Sequence, residues 1–308
     1  MQSKIRIGTR GSPLALAQAE ETKARLGAAH GFGDDAFEIV IIKTQGDLVL
    51  DRPLAEIGGK ELFTKEIEQA LLDGAIDLAV HSTKDMPTQL PDGLIISCFL
   101  PREDVRDAFI SLKAGTLKDL APGAVIGTAS LRRAAQLRHL RPDLKVASFR
   151  GNVQTRLRKL EAGEADATFL AYAGLRRLGL ADRVTSLVAE SDMLPAVGQG
   201  AICIESRADN DAINTMLAAI HHGDTADCVR AERAFLAALD GSCRTPIAAL
   251  ARLEGGTLRL RGQVLTPDGK EAEDIEAAGP RGEAEEIGSG AGAQVRARLR
   301  PGFFGEDG

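Results

Sequence analysis

The chain has 308 residues, 44% of them hydrophobic and 27% charged, with a formal net charge of -6. That length exceeds one ordinary core and suits roughly two or three domains of a soluble globular protein. Aromatics make up only 4%, with no Trp and one Tyr, which argues against a base-stacking nucleic-acid platform. The acidic total predicts no polyanionic partner.

The four cysteines, Cys98, Cys203, Cys228 and Cys243, form no CxxC pair and have no histidine at zinc-ligand spacing. No metal site and no disulfide framework are expected, and a reduced cytoplasmic protein is the simplest reading. Met1 to Arg6 leads into no continuous apolar stretch, so no signal peptide is expected. No apolar run reaches the length of a membrane span.

In chain order, Lys4 to Thr9 predicts a short buried strand. Ser12-Pro13 reads as a helix start, Ser as N-cap and Pro at the first helical position. Phe37 to Lys43 predicts a strand, Glu61 to Leu72 a helix and Ile76 to His81 another strand. A second round opens near Asp107, with strands at Val125 to Thr128, Val146 to Phe149 and Asp166 to Ala171. Helices are predicted from Ser130 to Leu140 and from Asn152, as N-cap, to Glu161. This alternation indicates α/β domains with largely parallel sheets.

The two rounds echo each other. Ile7-Gly8-Thr9 with Ser12 and Gln18 matches Ile126-Gly127-Thr128 with Ser130 and Gln136, and Gly74 to Asp77 matches Gly163 to Asp166. Either these are generic strand–turn–helix words, or two similar α/β domains face each other across a cleft. In the second case ligands would sit at strand carboxyl ends and helix amino ends. From Ala226 to Leu239 a long helix is predicted, then strands at Ile247 to Leu253 and Leu258 to Leu265. Gly288 to Gly292 carries little side-chain information, and no element is assigned there.

Arginines cluster where strands end or helices begin: Arg10, Arg132, Arg133, Arg150, Arg156, Arg176 and Arg177. Such a pattern suits several carboxylates or phosphates, although any one of them also reads as a solvated helix-face charge. Arg132 and Arg133 oppose the dipole of the helix they open, which makes them harder to treat as decoration. His81 to Pro87 follows an apolar strand and puts Asp85 in a loop, next to Lys84. That carboxylate could stabilise a cation or simply close a turn. Cys243 lies on a Gly/Ser turn after a helix, where a thiol is either accessible or structural.

Together these segments resemble the hydroxymethylbilane synthase (porphobilinogen deaminase) family. The matching words include Ile7-Gly8-Thr9-Arg10 with Ser12-Pro13-Leu14-Ala15, Gly58-Gly59-Lys60 with Leu62-Phe63, and Asp77 to Ser82 with Lys84-Asp85. Further on come Ser130-Leu131-Arg132-Arg133, Arg150-Gly151-Asn152-Val153, Ala173-Gly174-Leu175 and Pro195 to Gly200. Glu232-Arg233 with Cys243 and Pro246 completes the set, and the match runs from residue 5 to about 250.

The resemblance implies two periplasmic-binding-protein-like α/β domains around a cleft plus a small α+β C-terminal domain. Its boundaries here would be 1–100 with 201–218, 101–200, and 219–308. It implies stepwise condensation of four porphobilinogen molecules, each losing ammonia, on a covalent dipyrromethane cofactor. Water then releases the linear hydroxymethylbilane. A thioether to Cys243 would hold the cofactor, and Asp85 would bind pyrrole N–H groups and stabilise the cationic azafulvene. Arg10, Ser12, Gln18, Ser82, Lys84, Thr128, Ser130, Arg132, Arg133, Arg150, Arg156, Arg177 and Gln199 would bind the acidic side chains of cofactor and substrate. Phe63 would pack near the cofactor. A monomeric, cytoplasmic enzyme of tetrapyrrole biosynthesis is implied, without nucleic-acid or membrane partners.

The chain departs from common family patterns at Ser242 and Arg244, where Gly and Gln or Asn are frequent, and at Glu61, where a small residue is often found. Two rival readings are a two-lobed binding protein, which would leave Cys243 idle, and a nucleic-acid binder, which composition disfavours. An inactive family member would not be expected to keep Asp85, Cys243 and the arginines together.

Overall fold

The computed structural model describes residues 4–48, 64–242 and 245–304. The first elements are β1 (Ile5–Thr9), α1 (Pro13–His30), β2 (Phe37–Ile41), α2 (Gln45–Leu48), α3 (Lys65–Leu72), β3 (Leu78–Ser82) and β4 (Leu94–Phe99). Next come β5 (Asp107–Ser111), β6 (Val125–Gly127), α4 (Leu131–Leu140), β7 (Lys145–Ala147), α5 (Val153–Glu161), β8 (Ala167–Ala171), α6 (Tyr172–Arg177) and β9 (Ser186–Leu187). The chain ends with β10 (Ile202–Arg207), α7 (Asp211–Ala218), α8 (Gly223–Ala238), β11 (Ile247–Glu254), β12 (Thr257–Leu265), β13 (Ala272–Pro280) and α9 (Ala284–Arg296).

Contacts group the described residues into two units, one of residues 4–48, 64–103 and 201–226, the other of residues 104–200, 227–242 and 245–304. The first holds a sheet of order β2-β1-β3-β10-β4, the second a sheet of order β7-β6-β8-β5-β9 and the separate antiparallel sheet β11-β12-β13. The architecture is therefore two mixed α/β sheets plus a small C-terminal α+β element.

The echo between the two rounds is a true structural repeat. In both five-stranded sheets the third strand from the same end runs parallel to its inner neighbour, and the fourth strand is reversed. The repeated acidic residue does the same work twice. Asp77 Oδ2 accepts from Arg6 N at 2.8 Å, and Asp166 Oδ2 accepts from Val125 N at 2.7 Å. Each Asp N–H in turn donates to the carbonyl of that same residue, at 2.9 and 2.8 Å. A carboxylate thus locks the register of β1 against β3 and of β6 against β8.

The expectation of largely parallel sheets needs one correction: β10 and β5 are antiparallel to both neighbours. Each enters just after the chain passes from one unit to the other, with no helical crossover to bring it in parallel. Apolar residues fill both faces. In the first unit Ile7, Leu26, Leu78, Val80 and Ile204 form one core, and Ile67, Leu71, Ile76 and Leu94 form another under α3. In the second, Phe109, Ile126 and Phe169 lie on one side of the sheet and Ile110, Phe149 and Leu170 on the other.

The glycine-rich stretch near the C-terminus, assigned no element above, is helical: it is the heart of α9. Its glycines are there for close approach. A Cβ on Gly288 would stand 2.1 Å from the Ala231 carbonyl oxygen, and one on Gly292 would stand 2.8 Å from that of Phe235. The two residues, one helical turn apart, let α9 lie directly on α8 over the core of Phe235, Leu258, Leu260 and Val295. That packing outweighs poor intrinsic propensity. Among the described residues no helix is long and apolar enough to cross a membrane.

Candidate functional site

In the first unit, β1 and β3 run side by side in parallel, and β3 continues through His81 and Ser82 beyond the level at which β1 ends. After β1 the chain turns through Arg10 into α1, whose N-cap Ser12 accepts from Ala15 N with its Oγ at 3.3 Å. After β3 a single 3-10 turn, Thr83–Asp85, is closed by Met86 N–H donating to the Thr83 carbonyl at 3.2 Å. Arg10, Ser12, Gln18, Ser82 and Asp85 consequently line one pocket, with Leu14, Ala15, Thr64, Val80 and His81. The Gln18 amide and the Ser82 hydroxyl are hydrogen-bonded at 2.8 Å, which ties α1 to the end of β3. Lys84 shares the 3-10 turn with Asp85 but is outside the pocket lining. Thr64, which sequence reasoning missed, places a buried hydroxyl in this wall with no hydrogen-bond partner among the described residues.

In the second unit, Thr128, Ser130, Arg132 and Arg133 gather where β6 gives way to α4. Thr128 Oγ1 accepts from Ser130 N at 3.2 Å, and Ser130, the N-cap, accepts from Arg133 N at 3.4 Å. The two arginines are not at an open edge, as the ligand-edge reading expected. Both are 4% exposed and turn inward onto Asp107, which is 1% exposed. Arg132 Nη2 reaches Asp107 Oδ2 at 2.8 Å and Arg133 Nη2 reaches Oδ1 at 2.7 Å. Arg132 also donates to the Leu194 carbonyl and Arg133 to that of Phe169. Gln199 completes the cluster, donating to Asp107 Oδ1 at 2.9 Å and to the Val105 carbonyl. The buried carboxylate explains how two arginines tolerate the start of a helix.

Asp107 was not singled out from the sequence, although an acidic residue opening the apolar word Ala108-Phe109-Ile110 is the signal that marks it. Burial alone would raise its pKa, but the charges and hydrogen bonds of Arg132 and Arg133 outweigh that and hold the carboxyl well below its usual range. We therefore expect Asp107→Ala to destabilise the fold by about 3–5 kcal/mol, since it strands two buried guanidiniums. Urea unfolding measures this, and a loss under about 1 kcal/mol would contradict it. Because the folded-state pKa is depressed, this stabilisation is complete above the unfolded-state value of about 4 and is lost as pH falls from there through the folded-state value.

The remaining arginines are placed singly. Arg156 Nε donates to the Gly151 carbonyl at 2.8 Å, on a helix capped by Asn152, and Arg177 Nη2 donates to the Gly200 carbonyl at 3.1 Å. Arg150 has a buried Nη1 with no hydrogen-bond partner among the described residues, and Arg132 Nε is in the same state. Phe63 and Cys243 lie outside the described residues.

These groups fit a dipyrromethane bearing acidic side chains. Asp85 offers an acceptor for pyrrole N–H groups, Arg10, Ser12 and Ser82 offer donors for carboxylates, and the unpartnered Thr64 hydroxyl in the same wall is a donor still unused.

Comparison with known proteins identifies what such a site belongs to. Residues 5–215 match the family model described as porphobilinogen deaminase, dipyromethane cofactor binding domain, and residues 226–297 match porphobilinogen deaminase, C-terminal domain. A porphobilinogen deaminase of Paracoccus denitrificans (strain Pd 1222) is 59% identical over 303 residues, covering 98% of this chain and 97% of that protein. Among solved structures, the methionine-binding protein MetQ is 16% identical with a TM-score of 0.45 over 70% of this chain and 89% of its own. Immunogenic lipoprotein A from Vibrio vulnificus is 14% identical with a TM-score of 0.45 over 72% of this chain and 96% of its own. Two consecutive family models and a relative matched nearly end to end leave one assignment: the chain belongs to the porphobilinogen deaminase family.

Proposed function

We infer that the protein is a hydroxymethylbilane synthase: it condenses four porphobilinogen molecules head to tail, with loss of ammonia at each step, and releases the linear tetrapyrrole by hydrolysis. The observation that carries this reading is the convergence of Asp85 with Arg10, Ser12, Gln18 and Ser82 on one pocket at the carboxyl ends of β1 and β3. Losing ammonia from an aminomethyl pyrrole leaves positive charge on the ring and its methylene. A fixed carboxylate placed there is stabilising only as that charge develops, which is what lowers a barrier. Arg10 and the two hydroxyls hold the acetate and propionate groups, so that the reacting carbon is presented to Asp85 rather than free to rotate.

The second-unit residues Thr128, Ser130, Arg132, Arg133, Arg150, Arg156, Arg177 and Gln199 are proposed to neutralise the growing polyanion. Arg150 does so directly through its unused N–H donor, and Arg132 and Arg133 act from a buried position in which two guanidiniums share one carboxylate. Lys84 adds positive charge beside Asp85, and Phe63 packs on the cofactor. When bound through Cys243, the dipyrromethane supplies the covalent anchor and the first acceptor ring. The proposal extends to three domains with the boundaries given from the sequence, a monomer, and a cytoplasmic location.

Intact mass of the denatured protein, before and after porphobilinogen is added, tests the reading. We expect an excess over the sequence mass equal to one dipyrromethane, then a ladder of single-pyrrole increments. A mass that stays at the sequence value after reconstitution with porphobilinogen would defeat it and favour a two-lobed binding protein.

A further inference from the structure

The reaction has a proton to manage, and one residue of the pocket wall, His81, is paired behind the wall with a buried carboxylate that the roles above leave unused. His81 lies on β3, and Glu205 lies on the reversed strand β10 that pairs with it. Their side chains share one face of the sheet and meet with His81 Nε2 3.1 Å from Glu205 Oε2. Both are buried, Glu205 completely and His81 to 6% exposure. The second carboxylate oxygen of Glu205 has no hydrogen-bond partner among the described residues. A carboxylate so isolated is tolerable only with a proton donor on its one partner, so the imidazole N–H must point at it. That fixes the tautomer and leaves Nδ1 as the free nitrogen. The ring lines the same pocket as Asp85.

We propose that His81 is the proton acceptor of this pocket and that Glu205 is the residue that positions it. The proposal rests on the condensation reading above. In each condensation the C–N bond of porphobilinogen breaks and its electron pair leaves on nitrogen. A C–C bond forms from a π pair of the acceptor pyrrole, whose α C–H bond then breaks and returns its pair to the ring. One proton is released, and the departing ammonia takes one up to leave as ammonium. His81 Nδ1 receives the first and supplies the second, so the pair ends each cycle as it began and no outside reagent is consumed. Glu205 stabilises the imidazolium formed between the two transfers, the role a buried carboxylate plays behind a catalytic imidazole elsewhere. The charged and titratable groups around the pair are Asp85 and Arg10 across the pocket, Lys84 in the adjoining turn, Cys203 beside it on β10, and Glu68, buried on α3 where that helix packs against β3 and β10.

The test uses His81→Gln and Glu205→Gln in the cofactor-loaded enzyme, after the wild type has shown the mass ladder. We expect His81→Gln to lower kcat about 100-fold with little change in KM, in the range of a lost general acid–base group. The acid limb of the wild-type kcat profile disappears in this variant. Glu205→Gln is expected to lower kcat less than His81→Gln does, with KM unchanged, because the ring keeps its nitrogen but loses the carboxylate that orients it. A readout independent of turnover is the ring C–H resonance of His81, assigned by its absence in His81→Gln. It is expected to change position in Glu205→Gln, where the hydrogen bond from Nε2 to a carboxylate is gone. An unchanged kcat profile in a folded His81→Gln, or a His81 resonance indifferent to Glu205→Gln, would overturn the proposal while the ladder left the condensation reading standing. Absence of the ladder in the wild type would instead overturn that reading, and this inference with it.

Discussion

Replacing Asp85 with alanine is expected to leave the protein folded and to cut condensation about 100- to 1000-fold, the loss typical of one preorganised electrostatic group. The two halves of that expectation come from the same piece of geometry. Asp85 closes a 3-10 turn whose hydrogen bond is made by backbone groups of Thr83 and Met86, and the apolar anchor of the turn is buried Met86. Its carboxylate accepts no hydrogen bond from the described residues that hold the turn, so truncation should alter stability by no more than about 0.5 kcal/mol. What is lost is the anion facing the developing positive charge. Asp85→Glu keeps that charge but displaces it by one methylene, so it should recover only part of the rate. Time-resolved intact mass separates these cases, because each pyrrole added is one increment. A ladder that forms in Asp85→Ala at close to the wild-type rate would remove Asp85 from the chemistry.

Local words in the sequence were reliable where a side chain acts on its own backbone. Ser12, Ser130 and Asn152 each cap the helix they were read to start. Such caps need only neighbours a few residues away. The internal repeat was visible as words, but its physical content, an aspartate bridging back to the first strand of its own round, spans 71 residues in one case and 41 in the other. Features that depend on a partner on another strand, with no repeated word to mark it, were not legible. His81 lies in a recognisable motif, yet nothing near it announces Glu205, which is 124 residues later in the chain. Arg132 and Arg133 were noticed for opposing the helix dipole, and the explanation, a buried Asp107 on β5, emerges only when the reversed strand is in place. Glycine misled in the opposite way. Gly288 and Gly292 looked like missing information and are instead the surface that lets two helices touch.

Cys243→Ser is expected to be the most severe change: no cofactor mass on the protein and no tetrapyrrole product. The three described cysteines are all buried, which makes them poor anchors. Burial pushes the thiol of Cys98 up to about 12, so it carries almost no thiolate. Cys203 is fully enclosed within β10 and Cys228 is buried on α8. The segment leading to Cys243 is of another kind. It follows α8, passes through Asp240 with a left-handed φ of 52°, and is tied by Ser242 N donating to Thr245 Oγ1 at 2.9 Å and by that hydroxyl donating to the Ser242 carbonyl at 2.8 Å. Ser242 and Thr245, the described residues on either side of position 243, are thereby fastened to each other. Serine is nearly isosteric with cysteine, but its hydroxyl does not ionise near neutral pH, so the thioether has no equivalent. Intact mass reads the outcome directly: a Cys243→Ser protein at its bare sequence mass places the anchor at residue 243. A dipyrromethane excess that persisted would move the anchor elsewhere, and the burial of the other three thiols would then point away from cysteine chemistry altogether.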